Sequence, residues 1–380
     1  MKRFRIVYII SRVNSARQFE LVAEGVRNLG VEIEFVLLNN KVTPLETCLK
    51  ERRFQVTRLP LSGRLSLPYI FMTLFGILLV KRPRIIHTHL FEANLTGLFA
   101  GWIAGVPTRI HTRHHSIIHH QSFPEAVRWD KLANWLSTHV VAPSQVVADV
   151  LTRGERLSSS KIQIIHHGFD ITSFKLVRQE RVESVREKLN IPKSKFPVIG
   201  CISRYTEWKG VHFAILAFQK TLKKYPDALL VLCNAQGDYD SEIKEHLSKL
   251  PSFAYREILF EEDIEALYQC FNIFVHVPTG EMEEAFGQIY IEAMAAGIPS
   301  VLTISGIAKE YVRHGGNALV VDYKDEAAIA EAVDFLLCNP KKSKKLASNA
   351  RKEVNTKFSI ERMILQLMKL YFGELNKTKL

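Results

Sequence analysis

Glu284-Ala-Phe-Gly-Gln-Ile-Tyr-Ile-Glu292 runs without a break into Ala293-Met-Ala-Ala-Gly297-Ile-Pro299. The two carboxylates are separated by about two turns at roughly 3.6 residues per turn, so both are expected on one helix face near its start. Phe286-Gly287 supplies a flexible turn ahead of that helix, and Gly297-Ile298-Pro299 stops it and leads into a strand. A helix start also presents free N–H groups that attract anions. Carboxylates there do not bind phosphate, but they are able to hold the hydroxyl groups of a sugar beside one. A lone acid pair at this spacing is more simply a solvated face; the flanking Phe-Gly and Gly-x-Pro favour a ligand site.

Short β-like runs alternate with helical patterns on both sides of this segment, which argues for parallel α/β sheets. The first set of strands is expected at Arg5–Ile10, Glu32–Leu38, Arg84–His87, Arg109–Thr112 and His139–Ala142, with an amphipathic helix over Phe19–Leu29. The second set is expected at Pro197–Ser203, Ala228–Cys233, Ile273–Val277, Ser300–Thr303 and Ala318–Val321. Between them Lys175 to Lys195 is rich in charge and poor in large aliphatics, as in a linker with a short helix. The fold class is therefore α/β, two facing Rossmann-like halves, with ligands expected beyond the carboxyl ends of the strands.

A chain of 380 residues suits two domains of ordinary size. Its five cysteines are scattered and form no C-x-x-C pair, which fits reduced core residues in a cytoplasmic setting. The apolar stretch after Met1-Lys-Arg-Phe-Arg is too short for a signal peptide, and the run Leu67 to Val80 reads as too short to span a bilayer. The net charge of +12 is uneven: residues 1–174 hold 22 Lys+Arg against 12 Asp+Glu, the remainder 29 against 27. Basic groups also flank the Leu67–Val80 run, which suits either an anionic membrane surface or a buried helix with charged ends. No aromatic interleaving of a nucleic-acid module accompanies the arginines, so nucleic acid is not an expected partner.

Gly200-Cys-Ile-Ser-Arg204-Tyr-Thr-Glu-Trp-Lys209-Gly210 follows the first strand of the second half. A strand, two spaced cations and a glycine opening a helix suit a diphosphate clamp, each charge-assisted hydrogen bond being worth about 1.5–3 kcal/mol. Alone this pattern also describes a solvated loop. In the first half, Ile85-Ile-His87-Thr-His89 puts two histidines on one face of a strand end, and Arg109-Ile-His111-Thr-Arg113-His114-His115-Ser116 ends the next strand, followed by His119 and His120. Histidines at these spacings also resemble metal ligands, but no acidic ligand lies close by in sequence. Asp238-Tyr-Asp240 is more simply a solvated turn than a metal-nucleotide motif.

Glu284 to Pro299 resembles the signature of family 4 retaining glycosyltransferases, which have the GT-B fold with an interdomain cleft and use nucleotide-diphosphate sugars. Further matches in order extend the resemblance over roughly residues 85 to 335. It implies a first, acceptor-side domain over 1–175, a linker over 176–195, a nucleotide-sugar domain over 196–358, and a helix at about 359–376 crossing back onto the first domain. It also implies that Arg204 and Lys209 clamp the donor diphosphate and that Phe286, Gly287, Gln288 and Ile289 pack around it. Glu284 would contact the donor's sugar or phosphate side and Glu292 its ribose. His114 is the best match to the family's catalytic-centre histidine, with His111 and His115 as fallbacks and His87 and His89 on the acceptor side. The base pocket is implied near Glu257 to Tyr268, and Glu310 matches a further acidic position.

Two stretches depart from the family pattern. A glycine pair after the first strand is replaced by Ser15 and Ala16, with Arg12 or Arg17 as compensating charge, and His167 replaces an asparagine in His166-His167-Gly168-Phe-Asp170. The expected function is metal-independent sugar transfer, with retention, from a nucleotide-diphosphate donor to a glycan or lipid-linked acceptor, in cell-surface polysaccharide or glycolipid assembly. No cofactor is expected, and the expected location is cytoplasmic, peripheral on the inner face of the plasma membrane. The alternatives are a metal-dependent hydrolase using His87 to His120, or a silent nucleotide-sugar-binding protein.

Overall fold

The computed structural model describes residues 4–377. The chain divides into two compact units: the described residues up to Phe169 together with the helix from Ile360 onward, and Asp170–Ser359.

The first unit is a seven-stranded parallel sheet, β1 (Phe4–Ser11), β2 (Val31–Leu38), β3 (Gln55–Leu59), β4 (Ile85–His89), β5 (Thr108–Thr112), β6 (His139–Ala142) and β7 (Ile162–Ile164), in the order β3-β2-β1-β4-β5-β6-β7. Strands such as Ile6–Ile10 are buried on both faces, so they are continuous apolar runs rather than alternating ones, as expected of a parallel sheet covered on both sides. Helices α1 (Arg17–Asn28), α2 (Leu67–Lys81), α3 (Phe91–Ile103) and α4 (Ala126–Leu136) supply part of the cover. The C-terminal helix, Ile360–Lys377, returns to this sheet and buries Met363, Ile364, Leu367, Met368 and Tyr371 in the core formed with β1, β2 and α1. Its Tyr371 hydroxyl sits 2.6 Å from the Tyr8 hydroxyl and 2.7 Å from His87 Nδ1.

The second unit is a six-stranded parallel sheet, β8 (Val198–Ile202), β9 (Leu229–Cys233), β10 (Tyr255–Ile258), β11 (Ile273–His276), β12 (Ser300–Leu302) and β13 (Leu319–Val320), in the order β10-β9-β8-β11-β12-β13. Helices α5 (Gln179–Lys188), α6 (Val211–Lys224) and α7 (Gln288–Ala296) belong to it. The segment 176–195, which composition suggests as a linker, carries α5, and α5 is tied to this unit by Arg181–Asp263 and Lys188–Glu261 ion pairs.

Sequence patterning misses β3, β7 and β10. Two are the outermost strands of the first sheet and one is an edge of the second, whose other edge, β13, falls within the expected Ala318–Val321. One side of an edge strand faces water, so Gln55-Val-Thr-Arg-Leu59 and Tyr255-Arg-Glu-Ile258 lack the apolar run that marks a central strand.

Leu367 is 1% exposed in the core shared by the C-terminal helix and the first sheet. Leu367→Ala is expected to destabilise the first unit by about 2–5 kcal/mol, measured by urea titration, with the unfolding of the second unit unchanged.

Candidate active site

In both sheets the strand order reverses beside the first strand: β1 lies between β2 and β4, and β8 between β9 and β11. Strands diverging to opposite sides leave a crevice beyond their carboxyl ends, the usual place for a ligand in such sheets.

In the second unit that crevice is a pocket of ≈ 360 Å³ lined by Ser203, Arg204, Lys209, Asn234, Gln236, Glu284, Gly287, Gln288 and Ile289 among others. Arg204 and Lys209 follow β8, and Lys209 is turned inward against Glu284. His276, at the carboxyl end of β11, reaches the same Glu284 Oε1 from 3.2 Å. Ser305 Oγ accepts from the Glu284 N–H at 3.2 Å, fixing the backbone as well. Gly210, after Lys209, has φ +67°, and a Cβ there would lie 2.0 Å from the Val277 carbonyl oxygen, so only glycine permits this approach. Gly287 caps α7 at φ +85°, and the first turn of that helix, at Gln288 and Ile289, opens on the pocket with the positive end of its dipole.

The structure corrects one geometric expectation. Glu284 and Glu292 do not share a helix face, because α7 begins only at Gln288. Glu284 stands in the preceding loop, whereas Glu292 is inside the helix, accepting from Gln288 Nε2 and from Tyr268 Oη at 3.1 Å. Their chemistry differs accordingly. Burial would raise the Glu284 carboxyl, but the Lys209 ammonium first and the His276 hydrogen bond second outweigh it and hold it at about 2. Glu292 has no such cation, and burial pushes it up to about 7. Glu292 does not line the pocket. Phe286 is 5% exposed, and its ring packs edge-on against Phe358 at 6.0 Å rather than lining the pocket.

In the first unit the crevice is lined with imidazoles. His87 and His89 share one face of β4, ring centroids 4.3 Å apart, as the two-residue strand period requires. His87, expected on the acceptor side, is buried with both nitrogens engaged, by Tyr371 at 2.7 Å and by Thr112 Oγ1 at 2.8 Å, so it acts here as an interior support. His89 is also buried, and its Nδ1 lies 3.1 Å from His114 Nε2. His167 lies parallel to His114 at 5.6 Å. Burial lowers His87 and His167 to about 3 and His114 to about 4, with neighbouring imidazoles adding to the shift. All are therefore neutral near pH 7, and in the His89–His114 hydrogen bond one ring nitrogen donates and the other accepts.

His115 points elsewhere. Its Nε2 lies 3.1 Å from Asp130 Oδ2, and His119 Nδ1 lies 2.7 Å from the same oxygen. The three ligand atoms fall within 4.8 Å of one another, so an acidic group that sequence proximity does not show is brought in by α4. Arg113 Nη2 also reaches Asp130 Oδ2, at 3.0 Å, and pairs with Glu155. Asp130 is depressed well below the usual range: its burial opposes the shift, and donation by His115 and His119 and the charge of Arg113 overcome it. A guanidinium on the very oxygen a metal would take makes this a buried ion-pair network rather than a cation site. His111 joins it through Asn134, 3.0 Å from His111 Nε2.

Ser15 is exposed and Ala16 precedes α1, both in the first unit. Arg12, the expected compensating charge beside them, is taken up by Glu92. Glu257, in the stretch implied for the base, accepts from Lys244 at 2.7 Å and from Tyr205 Oη at 2.9 Å. Sequence reading misses His276, Asn234 and Gln236. Each lies at or just beyond the carboxyl end of β11 or β9, so strand ends flanking the reversal point were the available signal.

Two family comparisons cover most of the chain: residues 15–173 match Glycosyltransferase Family 4, and residues 182–353 match Glycosyl transferases group 1. Capsular polysaccharide biosynthesis glycosyltransferase CapM of Staphylococcus aureus is 24% identical over 383 aligned positions, 98% of this chain and 97% of that protein. Spore coat protein SA of Bacillus subtilis is 23% identical over 61% of this chain, and the match spans only 64% of that protein's length. Among solved structures, Anabaena Alr3699/HepE in complex with UDP and glucose superposes with a TM-score of 0.83 at 20% identity, covering 98% of this chain and 100% of that one.

The two acids set opposite pH dependences. Glu292 ionises near 4.5 when unfolded and about 7 when folded, so its contribution to stability is complete below the first value and lost as pH rises through the second. Glu284 falls from 4.5 to about 2, so its contribution is present above 4.5 and lost as pH falls through about 2. Glu292→Gln is expected to gain melting temperature relative to the parent between about pH 5 and pH 8. Glu284→Gln leaves Lys209 unpaired and is expected to lose about 3–5 kcal/mol at neutral pH, the loss shrinking in acid. Melting curves across pH check both.

Proposed function

This chain belongs to the group 1, family 4 glycosyltransferases of the GT-B fold, and we propose that it moves a sugar from a nucleotide-diphosphate donor to a glycan or lipid-linked acceptor, with retention, in cell-surface polysaccharide or glycolipid assembly. The observation that carries the reading is Lys209 held against Glu284 in the pocket that also exposes Arg204 and the start of α7. The UDP and glucose bound by Anabaena HepE support a nucleotide-sugar donor, and the role of CapM in capsular polysaccharide synthesis supports a surface glycan as product.

Lys209 and Arg204 offset the diphosphate charge, and the N–H groups at the start of α7 add fixed dipoles that need no reorganisation as the leaving group develops charge. A divalent ion is not required by this scheme, because two side-chain cations and a helix terminus already face the phosphates. Glu284, ionised at neutral pH, accepts hydrogen bonds from sugar hydroxyls and keeps Lys209 oriented. The family resemblance gives Glu292 the ribose; its carboxylate is held by Tyr268 and by Gln288, which lines the pocket, so a ribose hydroxyl would displace one of these donors. His114 remains neutral, and its Nε2 is engaged by His89, so the tautomers of the two rings are tied together. In this reading the acceptor attacks from the side the nucleotide leaves, and the protein works at the cytoplasmic face of the plasma membrane.

A panel of nucleotide sugars is expected to yield at least one that raises the melting temperature, by about 2.7 kcal/mol of stabilisation at a hundredfold excess over its dissociation constant. With that donor and a membrane extract, Lys209→Ala is expected to lower kcat about 10²–10³-fold, with Glu284→Gln and His114→Ala also impaired and turnover surviving a chelator. Parent-like turnover in Lys209→Ala and Glu284→Gln, or its loss to the chelator, overturns the reading.

A further inference from the structure

Helix α2 is apolar on every side. Ile70, Leu74 and Leu78 repeat at four-residue spacing and enter the core, while Tyr69, Met72, Leu79 and Val80 face water at 57%, 61%, 45% and 85% exposure. A soluble helix ordinarily turns a polar face outward, so the outward half of α2 is unexplained by the fold. It does not stand alone. Beside it α3 exposes Phe99, Trp102 and Ile103, and α4 exposes Trp129, Leu132 and Trp135.

Ring contacts run from one helix to the next across this surface. Phe71 of α2 meets Phe99 at 5.1 Å, Phe99 meets Trp102 at 6.0 Å, and Trp102 meets Trp135 at 5.5 Å. Trp102 and Trp135 thus stand exposed in one connected surface, and Trp129, like them one of the chain's four tryptophans, is exposed on the same helix as Trp135. An apolar patch continuous over three helices is larger than scattered surface hydrophobes and marks a contact surface.

Charge decides the occupant. Arg64 and Arg82, at the two ends of α2, are exposed, as are Arg128 and Lys131 of α4. Helix α2 has no carboxylate; Glu92 of α3 is paired with Arg12, and Asp130 of α4 is buried against Arg113. The nearest exposed acid in sequence, Glu125, precedes α4. Tryptophan and tyrosine beside arginine and lysine are the residues favoured where lipid headgroups meet acyl chains. With its leading turn, the segment Arg64–Lys81 is long and apolar enough to cross a membrane, which the bare run Leu67–Val80 is not. Its inward residues are nevertheless core of the first unit, and Lys81 pairs with Glu34 of β2. Withdrawing α2 into a bilayer would expose that core, so the helix does not span a membrane while the first unit is folded.

We propose that the outward face of α2, α3 and α4 is a docking surface for an anionic lipid bilayer, with the tryptophans at headgroup depth and the flanking arginines and lysines on the phosphates. This deepens the peripheral location proposed above and rests on that reading for the location alone. The probe is the full chain carrying Trp208→Phe, which leaves Trp102, Trp129 and Trp135 as the emitting tryptophans. Flotation with phosphatidylcholine vesicles containing phosphatidylglycerol is expected to carry the protein up, with a blue shift in emission and quenching by brominated acyl chains. Pure phosphatidylcholine should bind it more weakly. In the otherwise parental chain, the double variant Trp102→Gln/Trp135→Gln is expected to weaken vesicle binding about tenfold or more, and Arg82→Glu/Lys131→Glu to weaken it on anionic vesicles alone; melting curves confirm that each is folded. No flotation with anionic vesicles, no quenching, or a lipid-free dimer showing the same blue shift overturns the proposal, the last outcome assigning the face to a second copy of the chain. Vesicle binding needs no nucleotide sugar, so its failure leaves the donor reading intact, and lost turnover with intact flotation removes the donor reading alone.

Discussion

The second unit is organised around one buried charge pair, Lys209 with Glu284. Glu284 is 7% exposed, and an unpaired carboxylate at such a place would protonate. The Lys209 ammonium keeps it ionised, and His276 takes up the same oxygen from β11. The pair also fixes two loops that sequence holds 75 positions apart, one after β8 and one before α7. Removing either partner strands the other, at a cost of about 3–5 kcal/mol, so the arrangement persists because it is complete. In the proposed transfer Lys209 lines the pocket before the donor arrives, so little reorganisation would be needed as charge develops there.

The first unit solves a different problem with the same sheet logic. Its crevice is filled by imidazoles that burial keeps neutral, so they act as directional hydrogen-bonding groups rather than cations. His114 is oriented by His89 on one edge and lies against His167 on its face. The residue before it, Arg113, is 1% exposed and clamped between Asp130 and Glu155. The loop carrying His114 is thereby anchored at its base by a charge network and at its tip by ring contacts. Asp130 serves that anchoring, which explains why a set of two histidines and an aspartate with the spacing of metal ligands carries a guanidinium instead. The same helix that supplies Asp130 turns Trp129, Leu132 and Trp135 outward, so α4 serves the histidine loop with one face and the exposed apolar surface with the other.

Alternating apolar runs and helix patterns were enough to show two parallel α/β halves, because buried parallel strands are continuous hydrophobic segments and Gly210, Gly287 and Gly297 mark backbone turns that other residues resist. The spacing of Arg204, Lys209 and the segment from Glu284 to Ile289 was likewise legible as a pocket. Three of the four edge strands, β3, β7 and β10, were not, since half-solvated segments lose the apolar signal. Nor was the start of α7: periodicity places Glu284 and Glu292 on one helix, whereas the left-handed Gly287 begins the helix between them and sends the two acids to different surroundings.

The order of residues along the chain therefore determined which groups were present and which strand ends would carry them, because local patterning and backbone freedom are properties of neighbours in sequence. Only the tertiary structure decided their ionisation and their partners. Glu284 and Glu292 are the same residue type, yet one is held near 2 and the other near 7, since burial is common to both and a lysine reaches only the first. His87 and His114 likewise differ in what they touch, not in kind. A carboxylate or imidazole takes its chemistry from groups brought close by the fold, and those groups come from sequence positions that no local pattern connects.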